Sequence, residues 1–341
     1  MITQVIASLV VAFGSCYVLS RAIRSYAVKR EWFDVPNRRS SHNVATPRGG
    51  GLAIVATFLA SISWVVWAGQ LALNEFVALA GGGVVVAGVG LWDDRRNVPP
   101  LWRSMFHVAA VAWAIWWLGG IGPLNVGVGI WEWGYLGYFV VTIGLVWLIN
   151  LTNFMDGIDA MASTEIAFAG AFAGGLLMLG GSAGLGWACW VLAASTLGCL
   201  RWNWPPAKIF LGDVGSGFLG FVYGVLMLAA TNKEVSSFWP WLILFGVFVV
   251  DATVTLTRRV VAGMRWYEAH RSHAYQHAAS RWGHLRVTVA VCVINVVWLA
   301  PMTFVAWMWP GTAPLVFIFS LSPLVALAVH LNAGKAAGSA M

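Results

Sequence analysis

Charge is what this sequence has least of. Of its 341 residues only 10% are Asp, Glu, Lys or Arg, against 60% hydrophobic residues. A soluble domain carries roughly a quarter charged residues, so a water-exposed globular fold is excluded and an integral membrane protein is indicated. Cysteine is scarce as well. Cys16, Cys189, Cys199 and Cys292 all lie inside apolar runs and form no close pair, which excludes a disulfide framework and a thiolate zinc site. No basic residue precedes the first apolar run and no small-x-small cleavage site follows it, so it is expected to be a retained span rather than a signal peptide. Low-complexity tracts, internal repeats and any stretch long enough for a soluble domain are also missing. Residues 1–341 therefore form one membrane domain. In such a chain the net charge of +7 is to be read by position, and no nucleic-acid partner is expected.

What the chain has is apolar runs. Eleven are long enough to cross a bilayer, at about 2–20, 52–69, 76–92, 104–120, 135–151, 164–180, 184–200, 215–230, 238–257, 287–308 and 313–331. They predict an all-α polytopic protein with eleven transmembrane helices. The few charges sort sharply. One set of alternate connections, together with the C-terminal tail, holds 19 of the 20 Lys and Arg residues, Arg38, Arg39, Arg48, Arg103 and Arg265 among them; Lys233 alone falls in the other set. By the positive-inside rule the basic loops are cytoplasmic, the N-terminus is outside and the C-terminus inside. Glu75, Glu132 and Glu234 fall in outer loops, and the other ten acids are expected on the cytoplasmic side or at helix ends facing it. Trp67, Trp92, Trp102, Trp202 and Trp204 sit near span ends, where interfacial anchoring explains them without a ligand.

Five cytoplasmic stretches concentrate the remaining chemistry. The central one, Asn150 to Ala162, sets Asn150, Asn153, Asp156 and Asp159 at the end of an apolar run. Charge there is expensive unless it meets water, a partner or an ion, although an Asp-Gly turn followed by a capping Asp would look the same. Another stretch closes a helix on Asp93-Asp94, with Arg95, Arg96 and Arg103 following. Adjacent carboxylates stay ionised together only with a cation or arginines nearby. In Phe210-Leu-Gly-Asp213-Val-Gly-Ser-Gly217, Asp213 sits on a small-residue turn. That suits Mg²⁺, which keeps several waters and borrows phosphate oxygens; an N-cap Asp is the plain alternative. The first loop runs from Asp34 through His42 to Arg48-Gly-Gly-Gly51. Its glycines open a helix and let backbone N–H groups approach a phosphate, while its basic groups would equally serve lipid headgroups. The last stretch centres on His270-Arg271-Ser-His273-Ala-Tyr-Gln-His277, with His284 beyond. His270, His273 and His277 would share a helix face, but no carboxylate or thiol completes a zinc site. An Arg flanked by histidines fits a phosphate clamp, with a headgroup-facing amphipathic helix as the alternative. Gathered on one face, these groups are what metal-assisted phosphoryl transfer at a membrane surface requires.

In this order, from Asp34 to about His277, the motifs resemble the polyprenyl-phosphate N-acetylhexosamine-1-phosphate transferases, glycosyltransferase family 4. Numbered by cytoplasmic loop, the match rests on a second motif, Asp93-Asp94, a third, Asn150-x-x-Asn153-x-x-Asp156-Gly-x-Asp159, a fourth, Phe210-Leu-Gly-Asp213-x-Gly-Ser216, and a fifth, His270-Arg-x-His273. The last is similar to the O-antigen-initiating branch rather than the peptidoglycan branch, whose fifth loop carries a run of histidines. The resemblance implies transfer of sugar-1-phosphate from a UDP-N-acetylhexosamine to undecaprenyl phosphate with release of UMP. It implies the bacterial inner membrane, Mg²⁺ or Mn²⁺ as cofactor, and admits a homodimer. Carried over, Asp213 and Asn153 would hold the metal, and Asp93 and Asp94 would position or deprotonate the lipid phosphate. Asp156 and Asp159 would line the nucleotide-sugar pocket, Phe210 would stack on uracil, and Arg271 with His270 and His273 would hold the pyrophosphate. Arg48, Arg103 and His42 are further substrate-binding candidates. The chain departs from the family in two places. Ala160 stands where a Gly is frequent, and Arg95-Arg96-Asn97 after the second motif leave the basic partner of the two acids open.

Two other classes compete. A secondary transporter of an anionic or nucleotide-sugar substrate would place its ionisable groups near the bilayer midplane, on broken helices in repeated halves; here they cluster at one face. A CDP-alcohol phosphotransferase would need a denser Asp run with an Ala-Arg pair in one helix, which the chain lacks.

Overall fold

Every apolar run is helical in the computed structural model, which describes residues 2–36, 41–126, 129–131, 134–264 and 270–335. Arg38, Arg39, Arg265 and Glu132 lie outside the described residues. The helices are α1 (Ile2–Lys29), α2 (Gly51–Trp67), α3 (Leu73–Arg96), α4 (Pro100–Trp117), α5 (Gly134–Met155), α6 (Met161–Leu179) and α7 (Ala183–Asn203). Then come α8 (Asp213–Asn232), α9 (Phe238–Leu244), α10 (Gly246–Val261), α11 (Ala274–Trp282), α12 (His284–Ile294), α13 (Ala300–Met308) and α14 (Ala313–His330). A π-helical segment, Asn295–Leu299, joins α12 to α13. Eight helical segments among the described residues are long and apolar enough to cross a membrane, and the α9–α10 pair, bent by 80°, makes a ninth if it is one span. The other two expected spans are α2, of 17 residues, and α4, which opens on Pro100 and carries Arg103 and His107 in its first half.

The bundle is built around α8, whose side chains are almost all buried. In lipid, apolar burial does little to hold helices together, and small residues that let backbones approach take over. Gly51 of α2 and Gly215 of α8 meet in this way: a Cβ on Gly51 would strike the Gly215 backbone. Helix α3 runs antiparallel to α8. At one end of the pair lie Asp93, Asp94 and Asp213; at the other, Glu75 accepts the Ala72 N–H at 3.0 Å and pairs with Lys233 at 2.5 Å. The one Lys that breaks the charge sorting is thus neutralised by a buried carboxylate. Trp67, Trp92, Trp102 and Trp204 are exposed, as anchors should be, whereas Trp202 donates its indole N–H to Tyr17 O at 3.0 Å.

One acid near a helix end is buried rather than exposed to a loop. Glu165 is fully buried inside α6, with Asn295 of the π segment donating to it at 2.5 Å. A partner on a neighbouring helix, not a loop position, is what makes that burial tolerable.

Candidate active site

The polar end of the bundle is assembled on the N-terminus of α8. Its first backbone N–H groups have no partner within the helix, and Asp94 from α3 supplies one. The Asp213 N–H donates to Asp94 Oδ1 at 2.8 Å and the Val214 N–H to Asp94 Oδ2 at 3.1 Å. A Cβ on Gly212, whose φ is 75°, would collide with that carboxylate. Arg48 Nη1 closes on Asp94 at 3.4 Å while its Nη2 pairs with Asp34 at 2.8 Å. The Asp94 side chain is enclosed completely, and what it does here is hold Asp213 in place.

Asp93 has a different environment. It accepts the Val98 N–H and pairs with Arg103, and the same Arg103 Nη1 reaches Asp213 Oδ2 at 3.4 Å. Arg103 therefore bridges the second and fourth motifs. The basic partners of the two acids are Arg48 and Arg103. Arg95 instead lies over the Trp32 ring, 5.0 Å from its centroid.

The turn between α5 and α6 carries the central motif. Asn150 bends back to Val146 O at 2.8 Å and takes no part in the site. Asn153 donates to Ser216 Oγ at 3.0 Å, which fixes it beside α8. Asp156 pairs with no basic side chain among the described residues. Burial, then the nearby Asp213 and Asp94 charges, push its carboxyl well above the usual carboxylate range. Asp159 accepts the Ala207 N–H at 3.0 Å and faces His284 Nδ1 at 3.2 Å. Ala160 follows at φ 66°, a left-handed conformation that costs a non-glycine residue roughly 1–2 kcal/mol. Asn203 at the end of α7 offsets this by accepting from the Ala160 N–H at 3.1 Å and from Ser163 at 3.0 Å.

The first loop packs against the fourth motif through backbone hydrogen bonds. The Gly50 and Gly51 N–H groups donate to Phe210 O at 2.8 Å and Leu211 O at 2.9 Å. They are consequently not free to cradle a phosphate, and the glycines at these two positions serve close packing instead. This pairing brings His42 edge-on to Phe210, ring centroids 4.9 Å apart. Between these elements lies a cavity of about 190 Å³, lined among others by Asn153, Asp156, Asp159, Phe210 and Asp213. Arg48, His42 and His284 also face it. Three buried atoms on the first-loop side, Ser41 Oγ, His42 Nε2 and Arg48 Nε, lack a hydrogen-bond partner among the described residues.

The last stretch is placed differently from expectation. Helix α11 begins at Ala274, so His270 is not on it, His273 is its N-cap, and the three histidines share no helix face. His273 Nδ1 bonds Asp251 of α10 at 3.1 Å, and the same carboxylate accepts from Thr255 and from the Ala274 and Tyr275 N–H groups. His277 binds Lys335 O at 3.3 Å. Burial, with the His273 and Arg259 charges, lowers the His270 imidazole to about 4, so it is neutral near pH 7 and contributes no cation. His273 and His270 thus support the loop. Arg271 lies near enough to the cavity wall for its charge to act on His284. The stretch touches the site through Gln276, which lines the cavity, and through Tyr275, whose hydroxyl donates to Phe154 O at 2.8 Å directly over Gly157.

Among the described residues, no three His, Cys, Asp or Glu side chains converge closely enough to cage a metal ion. Residues assigned no role from sequence also line the cavity: Asp34, Ser41, Asn203, Ser216, Gln276 and His284. Ser216 could have been found, since it lies in the fourth motif; His284 gave no signal beyond being one more histidine.

Residues 76–231 match the model of glycosyl transferase family 4. The chain is 30% identical over 319 residues to the decaprenyl-phosphate N-acetylglucosaminephosphotransferase of Mycolicibacterium smegmatis, covering 82% of this chain and 74% of that protein. It belongs to the polyprenyl-phosphate N-acetylhexosamine-1-phosphate transferase family. The transferase is also 26% identical over 294 residues to a probable undecaprenyl-phosphate N-acetylglucosaminyl 1-phosphate transferase of Bacillus subtilis, covering 80% of this chain and 76% of that one. It is 30% identical over 275 residues to the phospho-N-acetylmuramoyl-pentapeptide-transferase of Prochlorococcus marinus, covering 74% and 69%. The matched region ends one residue before the Asn232 that closes α8, so it takes in Asp93, Asp94, Asp156, Asp159 and Asp213 but neither Asp34 and Arg48 nor the contact by which Asp251 braces the start of α11.

Proposed function

We propose that this transferase moves N-acetylhexosamine-1-phosphate from a UDP-N-acetylhexosamine to undecaprenyl phosphate, releasing UMP. It would do so at the cytoplasmic face of a bacterial inner membrane, as the first membrane step of O-antigen or other envelope glycan assembly. The observation that carries this reading is the Asp213 carboxylate. It is fixed at the α8 N-terminus by Asp94, bridged to Asp93 by Arg103, and faces Asp156 across a polar cavity. The charge sorting, with Lys233 neutralised by Glu75, supports a cytoplasmic orientation.

The donor set suits Mg²⁺ or Mn²⁺, hard cations that take few protein ligands and complete their shell with water and phosphate oxygens. Asp213 and Asn153 would hold the ion, with Asp156, which has no basic partner among the described residues, close by. When bound, it would offset the repulsion between two anionic phosphates and the charge developing on UMP. The chain's own residues position the reactants. Phe210, set by His42, offers an aromatic face to uracil. Arg48 and Arg271 add positive charge, and Asp93 with Arg103 orients the acceptor phosphate. A lipid-phosphate oxygen bonds to the sugar-bearing phosphorus as the bond from that phosphorus to the UMP oxygen breaks. The acceptor is already ionised, so no proton need be removed and direct attack suffices.

Purified protein in nanodiscs should release UMP from a UDP-N-acetylhexosamine only with undecaprenyl phosphate and Mg²⁺, and Asp213→Asn should abolish that turnover. Full activity in Asp213→Asn would remove the metal assignment. Uptake of nucleotide sugar into proteoliposomes without turnover would favour a transporter instead.

A further inference from the structure

His284 lies outside every motif discussed above, yet it lines the cavity and connects three parts of it. Its Nδ1 is 3.2 Å from Asp159 Oδ1 and its Nε2 is 3.1 Å from Ser41 O. Nε2 meets a backbone carbonyl, an acceptor, and Nδ1 lies at ion-pair distance from a carboxylate, a pairing that favours the doubly protonated ring. The Asp159 N–H also points at Nδ1, but at the longer distance of 3.4 Å. Asp159 strengthens the case for the cation. Its Oδ2 is taken by the Ala207 N–H, it is nearly enclosed, and His284 is the basic side chain facing its Oδ1. A buried carboxylate without such a partner is strongly disfavoured.

The position of His284 is fixed independently of this contact. It is the first residue of α12. One turn on, Thr288 Oγ1 donates to Asp159 O at 3.0 Å, and further along Asn295 holds Glu165 of α6. Helix α12 is therefore pinned against the start of α6 at successive levels, and His284 is the level that opens onto the cavity. From there it reaches across to Ser41, next to His42, whose ring sets Phe210.

We propose that His284 is a positioning residue for the donor: an imidazolium clasp between Asp159 and Ser41 that holds the first loop over the nucleotide end of the cavity. It also places a fixed positive charge on a wall otherwise rich in carboxylates. The inference rests on the transferase reading for the identity of the donor, but the clasp can be measured by nucleotide binding alone. Asp159 and Ser41 face the ring directly, and Arg271 is the other charge that acts on it.

The test compares His284→Lys, which keeps the charge, with His284→Gln, which keeps one neutral donor. Binding of UDP is measured by calorimetry and steady-state constants by UMP release. His284→Gln should weaken UDP binding and raise KM for the UDP-sugar about tenfold, with kcat and the KM for undecaprenyl phosphate unchanged. His284→Lys should recover most of the loss. In the unmodified protein UDP binding should weaken as pH rises through the imidazolium range, a readout that needs no variant to fold. Wild-type binding by His284→Gln, a fall in kcat at constant KM, or pH-independent UDP binding would each overturn the clasp. If the protein binds UDP as expected but turns over no UDP-sugar, the transferase reading fails and the clasp stands.

Discussion

The α5–α6 turn and the segment from His270 to His277 look alike in sequence. Both are short polar stretches in the set of connections that carries the basic residues, and both carry the residue types of phosphate chemistry. In the fold they have opposite duties. The turn leaves Asp156 without a basic partner among the described residues and sets it in the cavity wall, whereas the other segment spends its most conspicuous groups on the protein itself, with His273 on Asp251 and His277 on Lys335. What separates them is whether a side chain's hydrogen bonds are already made. A satisfied group supports; an unsatisfied ionisable one in a cavity is available for ligand.

That contrast can be broken by substitution. Asp156→Asn should lower kcat by about 10²–10³-fold, the scale of losing one electrostatic contact to a transition state, with the melting temperature in detergent unchanged. Asp251→Ala should act in the other register. Four donors lose their acceptor, and the protein should lose about 3–5 kcal/mol of stability, as when a buried charged pair is broken, while the folded fraction keeps its KM for the donor. If Asp251→Ala melts normally but is inactive, the brace belongs to the chemistry and the comparison collapses. The smallest effect sharpens it from within the turn. Ala160→Gly should stabilise the protein by roughly 1 kcal/mol by relieving the left-handed residue, read as a rise in melting temperature. No gain would mean that Asn203 already compensates fully.

Much of the fold was legible because lipid imposes long apolar helices and one-sided basic loops. All eleven runs are helices, and seven of the thirteen proposed site residues (Asp156, Asp159, Asn153, Asp213, Phe210, Arg48 and His42) line one cavity. Spacing alone did not reveal which partner each polar group would find. Asp93 and Asp94 are adjacent in sequence, yet one meets Arg103 and the other disappears under α8. The three glycines after Arg48 read as a phosphate cradle until Phe210 and Leu211 are seen to take two of the N–H groups. Glu165 and His284 depend on contacts more than a hundred residues away in sequence, with Asn295 and Asp159. Local pattern does not reach that far.

The α3–α8 pair has a consequence for how the enzyme sits in its membrane. Two antiparallel helices, each spanning about 30 Å between its tethers by the rise of an α-helix, are joined at one end by Asp94 on the α8 N-terminus and at the other by Glu75 on Lys233. Neither can slide a turn along the other without breaking both tethers. A thinner or thicker bilayer must then be met by tilting the bundle as a unit. The height of Asp213 relative to Asp93 is a property of the protein, not of the lipid around it.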